Sequence, residues 1–193
     1  MTLRIRTHWV PGDGDPPEEA ATGAYIQVLA HNSGLTHYAR QSDDEGGTAP
    51  YLSAYPLASW LAWNWWRLRW EPRYPGALKN SGWLAAHNMR RAGGGYVWPD
   101  ITFASDGQMM LVMAKSTPAH PARPIRYVTD FLGVVPAGEF ETAADQFIQA
   151  TLSQLSSKDL RRTDLEILYD ELKEERADQD LAKYRRLEAM LGN

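Results

Sequence analysis

Five of the eight tryptophans of this chain lie within eleven consecutive positions, in the stretch WLAWNWWRLRWEPR at residues 60–73. On a helix, the large apolar residues of this region form two stripes about 100° apart. The stripes consist of Leu57, Leu61, Trp65 and Leu68, and of Trp63, Trp66 and Trp70. A helix that is apolar over most of its circumference is normally buried. The sequence therefore predicts a core helix from about Tyr55 to Trp70.

The same stretch also supports a second interpretation, because it holds more tryptophan than a small core usually needs. Tryptophan is seldom buried completely, and neighbouring arginines offer cation–π contacts to its ring. Residues 60–130 carry nine basic and four acidic side chains, whereas both flanking parts of the chain are acidic. The alternative is a basic aromatic surface that binds a partner. Its residues are Trp63, Trp66, Arg67, Trp70, Arg90 and Arg91.

Composition limits the class of protein. The chain has 193 residues, of which 44% are apolar and 23% charged, as in globular proteins with a sizeable core. It has no cysteine, which excludes disulfides and thiolate zinc sites. No signal-like segment is visible, and no stretch approaches the roughly 18 apolar residues of a membrane span. We expect a soluble cytoplasmic protein, and the net charge of −4 argues against general nucleic-acid binding.

Alternating apolar and polar residues predict strands on both sides of the tryptophan-rich helix. Residues 3–10 read as a half-buried strand, and residues 24–40 as a hairpin that turns at Ser33-Gly34. Residues 96–116 predict a second hairpin that turns at Asp106-Gly107, and residues 125–135 predict one further strand. Between these parts, a second helix is predicted from a cap at Ser81 to about Ala92, ended by the glycines at 93–95.

The C-terminal part of the sequence is helical, with helices predicted at about 141–156, 158–175 and 178–191. Strands, two helices, more strands and then helices favour an α+β fold over a doubly wound sheet. We therefore predict an α+β domain at residues 1–138, in which antiparallel hairpins form a sheet packed on the tryptophan-rich helix. A C-terminal helical segment is predicted at residues 139–193.

The residues that carry chemistry give no positive case for catalysis. The five histidines form no HExxH motif, and the predicted 24–40 hairpin brings only His31 and His37 together, so we expect no metal site and no cofactor. Neither GxSxG nor SxxK occurs, so no serine is marked as a nucleophile. The densest polar and aromatic cluster is a candidate pocket for a small molecule or peptide. It contains His87, Asn88, Tyr96, Trp98 and Asp100.

Three stretches carry a resemblance to a known family: YPLASWLAWNWWRLRWEP at 55–72, a tryptophan with AHNMRRAGGGYVWPDITFASDG within 83–107, and ADQDLAKYRRLEAMLG at 177–192. Together they resemble the N-terminal region that precedes the peptidase domain in some bacterial ImmA/IrrE-type metallopeptidase proteins. That family's chemistry lies in a zinc-binding HExxH helix, which this chain lacks, so no catalytic residue carries over. The resemblance implies an accessory domain that recognises a substrate or partner, or restrains a peptidase, often near stress or defence genes.

Three functional hypotheses follow from the sequence. The first is a non-catalytic recognition or regulatory module that binds a protein partner through the basic aromatic surface, since aromatic residues and arginine are enriched in interface hot spots. The second is a small enzyme of unrecognised class with a pocket near residues 87–100. The third is a nucleic-acid-binding accessory subunit whose aromatic rings stack on unpaired bases.

Overall fold

The computed structural model of the protein describes residues 2–10, 22–40, 46–70, 85–89, 98–118 and 125–173. The side chains of residues 66, 67, 69, 70, 85, 86 and 171–173 are outside this described part. The first sheet is built around β2 (Gly23–Ala30), with β1 (Leu3–Trp9) on one side and β3 (Ser33–Gly34) and β6 (Tyr51–Ser53) on the other. All its pairings are antiparallel, and β1 pairs with β2 along its whole length.

Two further antiparallel sheets occur among the described residues. The small second sheet has the order β10 (Ile125–Tyr127), β4 (Tyr38–Arg40), β5 (Gly46–Gly47). The third sheet has the order β11 (Phe131–Pro136), β9 (Met109–Lys115), β8 (Asp100–Ser105), β7 (Ala85–Asn88). The β8–β9 hairpin turns at Asp106-Gly107 as predicted, with Gly107 at a φ of 92° and the Asp106 carboxylate accepting two backbone N–H bonds.

The helices of the described part are α1 (Ala54–Trp70), α2 (Ala137–Gln154) and α3 (Leu160–Lys173). Both C-terminal helices pack against α1, and α2 also packs against β1. The third predicted C-terminal helix, at 178–191, lies outside the described residues. The α+β class predicted from the order of the elements is confirmed. No helix among the described residues is long and apolar enough to cross a membrane.

Helix α1 lies in the core, as its apolar circumference predicts. Leu57 and Leu61 are completely buried, and the Trp60 ring lies 6.1 Å from that of Phe103 on β8, measured between centroids. Phe103 in turn packs 5.1 Å from Phe140 of α2. These three rings join the central helix, the third sheet and a C-terminal helix in one hydrophobic cluster.

The helix predicted between Ser81 and Ala92 is wrong where the structure describes that stretch. Residues 85–88 form strand β7, which pairs with β8 over four residues. The local sequence AAHN is compatible with a helix, but pairing satisfies the backbone groups along the otherwise open edge of β8. Ser81 and the glycines at 93–95 lie outside the described residues. Tertiary pairing therefore overrides the local helix propensity here.

Two other details of the predicted strands are wrong. The turn after β2 lies at His31 and Asn32, which adopt φ angles of 51° and 74°, and not at Ser33-Gly34. Two residues at positive φ match the twist of a tight hairpin, and asparagine tolerates this conformation. The single strand predicted at 125–135 is two strands in different sheets, because the intervening residues bond elsewhere. The Thr129 hydroxyl, for example, donates to the Gly34 carbonyl oxygen over 2.8 Å.

Helix α3 begins at a charged cap that also ties it to α1. Asp159 accepts a 2.9 Å bond from the Arg161 backbone N–H, and the Arg161 guanidinium donates to both carboxylate oxygens of Asp159. The guanidinium also lies 5.8 Å from the centroid of the Tyr55 ring. The Arg161 side chain, by hydrogen bonding the carboxylate, holds the pKa of Asp159 below its usual range.

We therefore expect the contribution of Asp159 to stability to depend on pH. Because its pKa is lower in the folded state, the stabilisation is complete above the unfolded pKa of about 4 and is lost as the pH falls through the folded pKa. Urea titrations of the wild type and Asp159→Asn between neutral pH and pH ~3 measure this. The difference in unfolding free energy should shrink toward low pH, and a constant difference would contradict the assignment.

Candidate functional site

The predicted basic aromatic surface is described at one residue, Trp63. Its side chain is 55% exposed, whereas Trp60 on the preceding turn is 7% exposed and Trp65 is partly buried against the core. The side chains of Trp66, Arg67 and Trp70, as well as Arg90 and Arg91, lie outside the described part. Among the described side chains of α1, the indole of Trp63 therefore lies in solvent one turn from the buried indole of Trp60.

A polar residue completes the buried side of α1. Asn64 is buried, and its side-chain amide donates a 2.8 Å hydrogen bond to the Trp60 carbonyl oxygen. This bond within the helix satisfies an amide that would otherwise be costly to bury. Asn64 therefore stabilises the helix locally and does not belong to the exposed surface.

The structure separates the residues of the candidate pocket. His87 and Asn88 are neighbours on β7, so their side chains point to opposite faces of the third sheet. The Asn88 amide donates to an Asp100 carboxylate oxygen over 2.6 Å and to the Thr102 hydroxyl over 2.8 Å. Trp98 is buried in the core, and Tyr96 lies outside the described residues. The structure thus brings Asn88 and Asp100 together as a cross-strand link, but does not bring His87 to the same face.

The two histidines of the predicted hairpin have different neighbours. The His31 side chain lies 3.0 Å from the Val134 carbonyl oxygen, measured from Nε2, and its ring packs near Phe131. The His37 ring covers Gly34, where an added Cβ would lie 2.1 Å from His37 Nε2. Among the residues that the structure describes, no three histidine or carboxylate side chains gather closely enough to hold a metal ion.

A second basic aromatic surface, which was not predicted from the sequence, covers the outer face of the first sheet. We call it the tyrosine face. Its members are Arg4, Arg6 and His8 of β1, Tyr25 and Gln27 of β2, and Tyr51 of β6. Three of its rings form a row across the strands, with centroids 6.4 Å apart between His8 and Tyr25 and 5.5 Å apart between Tyr25 and Tyr51.

The alternation of the strands produces the tyrosine face. Ala24 and Ile26 are fully buried, whereas Tyr25 between them is 43% exposed, because successive side chains of a strand point to opposite faces. Tyr51 is 42% exposed and lies over Gly23, where an added Cβ would be 2.0 Å from the Tyr51 hydroxyl oxygen. Glycine at position 23 therefore allows the second tyrosine to lie against the backbone of β2.

The charges on the tyrosine face have one sign. Arg4 and Arg6 are exposed on the same side of β1, and they lie opposite the uncharged residues Leu29 and Gln27 of β2. The seven acidic residues of the first 59 positions are at 13, 15, 18, 19, 43, 44 and 45, and none belongs to a described strand. Within the described residues of these strands, the charged side chains of this face are thus positive.

Comparison with known proteins gives no match: no family model, no curated protein and no solved structure is similar to the chain. The resemblance to the accessory region of ImmA/IrrE-type proteins therefore stays a prediction from the sequence.

Proposed function

We propose that the chain is a non-catalytic recognition or regulatory module that binds a protein partner through the basic aromatic surface of α1. The observation that supports the proposal is the 55% exposure of Trp63 on a helix whose neighbouring Trp60 is buried. Tryptophan is among the residues most enriched in interface hot spots, where its large ring enters a pocket of the partner. Trp63 is the anchor of the proposed interface.

The remaining parts of the proposal come from the sequence. Trp66, Arg67, Trp70, Arg90 and Arg91 extend the surface, and the excess of basic residues at 60–130 suits an acidic partner. The bacterial source, the cytoplasmic location and a role beside a peptidase, stress or defence system belong to the same proposal. The enzyme alternative has no comparable support, because His87 and Asn88 point to opposite faces of β7.

The test uses the full chain as bait in a host lysate, followed by purification of the captured protein and calorimetry. We expect Trp63→Ala to weaken binding by at least about 2 kcal/mol, as at a hot spot. Leu132→Ala is the matched control, because Leu132 is also strongly exposed but lies on β11. Equal losses in both variants, or unchanged affinity in Trp63→Ala, would contradict the proposed anchor.

Charge reversal at Arg90 and Arg91 provides a second arm of the same experiment. If the surface meets an acidic partner, the double variant should associate more slowly, with a weaker dependence of the rate on salt. Both quantities are measured by stopped-flow association at low and high salt. Unchanged rates in a folded variant would remove these two arginines from the interface.

A further inference from the structure

We propose that the tyrosine face binds single-stranded nucleic acid, with unpaired bases stacking on Tyr25 and Tyr51 and phosphates contacting Arg4 and Arg6. The site lies on the outer face of the first sheet and does not include α1. The inference therefore goes beyond the proposed protein-binding function and does not rest on it.

The row of rings suits a chain of unpaired bases. His8, Tyr25 and Tyr51 lie on three adjacent strands, and neighbouring centroids are 6.4 Å and 5.5 Å apart. Tyr25 and Tyr51 are each more than two fifths exposed to solvent. Bases stack on such aromatic platforms without regard to sequence, since every base has a π face. The planes of His8 and Tyr25 differ by 28°, whereas Tyr51 meets Tyr25 edge to face at 66°, so the row offers neighbouring bases stacking positions of two orientations.

The charges select an anionic occupant. Arg4 and Arg6 are two residues apart on one side of β1, so their positions repeat at about 6.8 Å along the strand. They flank the aromatic row on the same face, and no acidic residue belongs to β1, β2, β3 or β6. A phosphate backbone is complementary to this arrangement.

The shape of the face favours a single strand over a duplex. Tyr25 is on the central strand β2, which is flanked by β1 and by β6, so the face is a broad platform. Duplex DNA admits a helix or a two-stranded ribbon into its major groove, and its bases expose only their edges there. Unpaired bases instead expose the flat surfaces that tyrosine rings can cover. An acidic protein segment would satisfy the arginines but offers no series of planar groups for the rings.

Fluorescence anisotropy of the full chain with labelled probes tests the proposal. The probes are an oligothymidylate of roughly 12 nucleotides, a duplex of the same length and a polyglutamate peptide of the same length. Each is titrated at ~50 and ~200 mM salt. The single strand should bind most tightly, and its affinity should fall as salt rises. Equal or tighter binding of the duplex, or no single-strand binding at the lower salt, would overturn the proposal.

Variants separate stacking from general attraction between charges. Tyr25→Ala and Tyr51→Ala should each weaken single-strand binding by about five- to a hundredfold, whereas Tyr25→Phe should bind like the wild type because it retains the ring. Arg6→Ala should reduce the slope of log affinity against log salt by about 0.7. The matched controls are Leu132→Ala, an exposed apolar side chain on β11, and Lys115→Ala, an exposed cation on β9.

The controls decide between the alternatives. Both should bind the single strand like the wild type, and near-ultraviolet circular dichroism should show that every variant is folded. If Arg6→Ala loses single-strand binding but Tyr25→Ala and Tyr51→Ala bind like the wild type, the proposed stacking of bases on the tyrosines is overturned. Polyglutamate binding that depends on both tyrosines, without oligothymidylate binding, would instead assign the face to an acidic protein partner and overturn the nucleic-acid proposal.

Discussion

Trp60→Ala is expected to destabilise the fold by about 3–5 kcal/mol, as truncations of large core aromatics do. Trp60 is 7% exposed, and its ring packs against Phe103, which joins the third sheet to α2. Removing the indole leaves a cavity at the point where three elements meet. Trp63→Ala, one turn further along the same helix, removes the same side chain from a 55% exposed position and should change stability by less than about 1 kcal/mol.

Chemical denaturation of the two variants, followed by circular dichroism, measures both effects in the same helix with the same substitution. The comparison also controls for the change in helix propensity, because each variant replaces tryptophan by alanine. Similar losses at the two positions would show that the burial of α1 is assigned wrongly. The result also determines whether Trp63→Ala is usable as a binding variant.

Thr36→Val is expected to cost about 1–3 kcal/mol, although valine has nearly the same shape as threonine. The buried Thr36 hydroxyl accepts a 3.1 Å bond from the Val28 N–H and donates a 2.9 Å bond to the Thr48 carbonyl oxygen. On this side of β2, β3 pairs only with Leu29 and Ala30. The hydroxyl therefore takes the place of a strand partner for Val28, and valine leaves that buried N–H unsatisfied.

Thr36→Ser is the matched control, because serine keeps the hydroxyl and loses only a methyl group. Its unfolding free energy should lie between those of the wild type and Thr36→Val, and amide hydrogen exchange at Val28 should stay slow in the serine variant but accelerate in the valine variant. Equal exchange rates at Val28 in both variants would refute this role of the hydroxyl.

Much of the fold could be predicted from local patterns. The apolar circumference of residues 54–70 requires burial whatever surrounds the helix, and α1 is buried. The alternation of β1 defines its two faces, and Asp106-Gly107 supplies a turn with its own hydrogen bonds. In each case the determining interaction lies within a few residues of the chain. The same patterns give the α+β class.

The residues of the candidate surfaces could be predicted less well from local sequence patterns. Trp63 is exposed, but the sequence assigned Trp63, Trp66 and Trp70 alike to the proposed surface, since helical spacing does not show which side of the helix faces the core. The tyrosine face was missed because its members come from separate strands. The alternation of Arg4, Arg6 and His8 in the sequence does indicate one polar, basic face of β1. The pairing of β6 with β2, which places Tyr51 beside Tyr25, is visible only in the structure.

The sequence by itself therefore determined the core helix, the faces of β1 and the β8–β9 hairpin, because periodicity and turn chemistry act over short distances along the chain. Tertiary structure alone decided that residues 85–88 form a strand and that β10 and β11 enter different sheets. It also decided that three rings from distant positions share one surface. Those outcomes depend on which backbone groups need partners across the fold, and no local pattern contains that information.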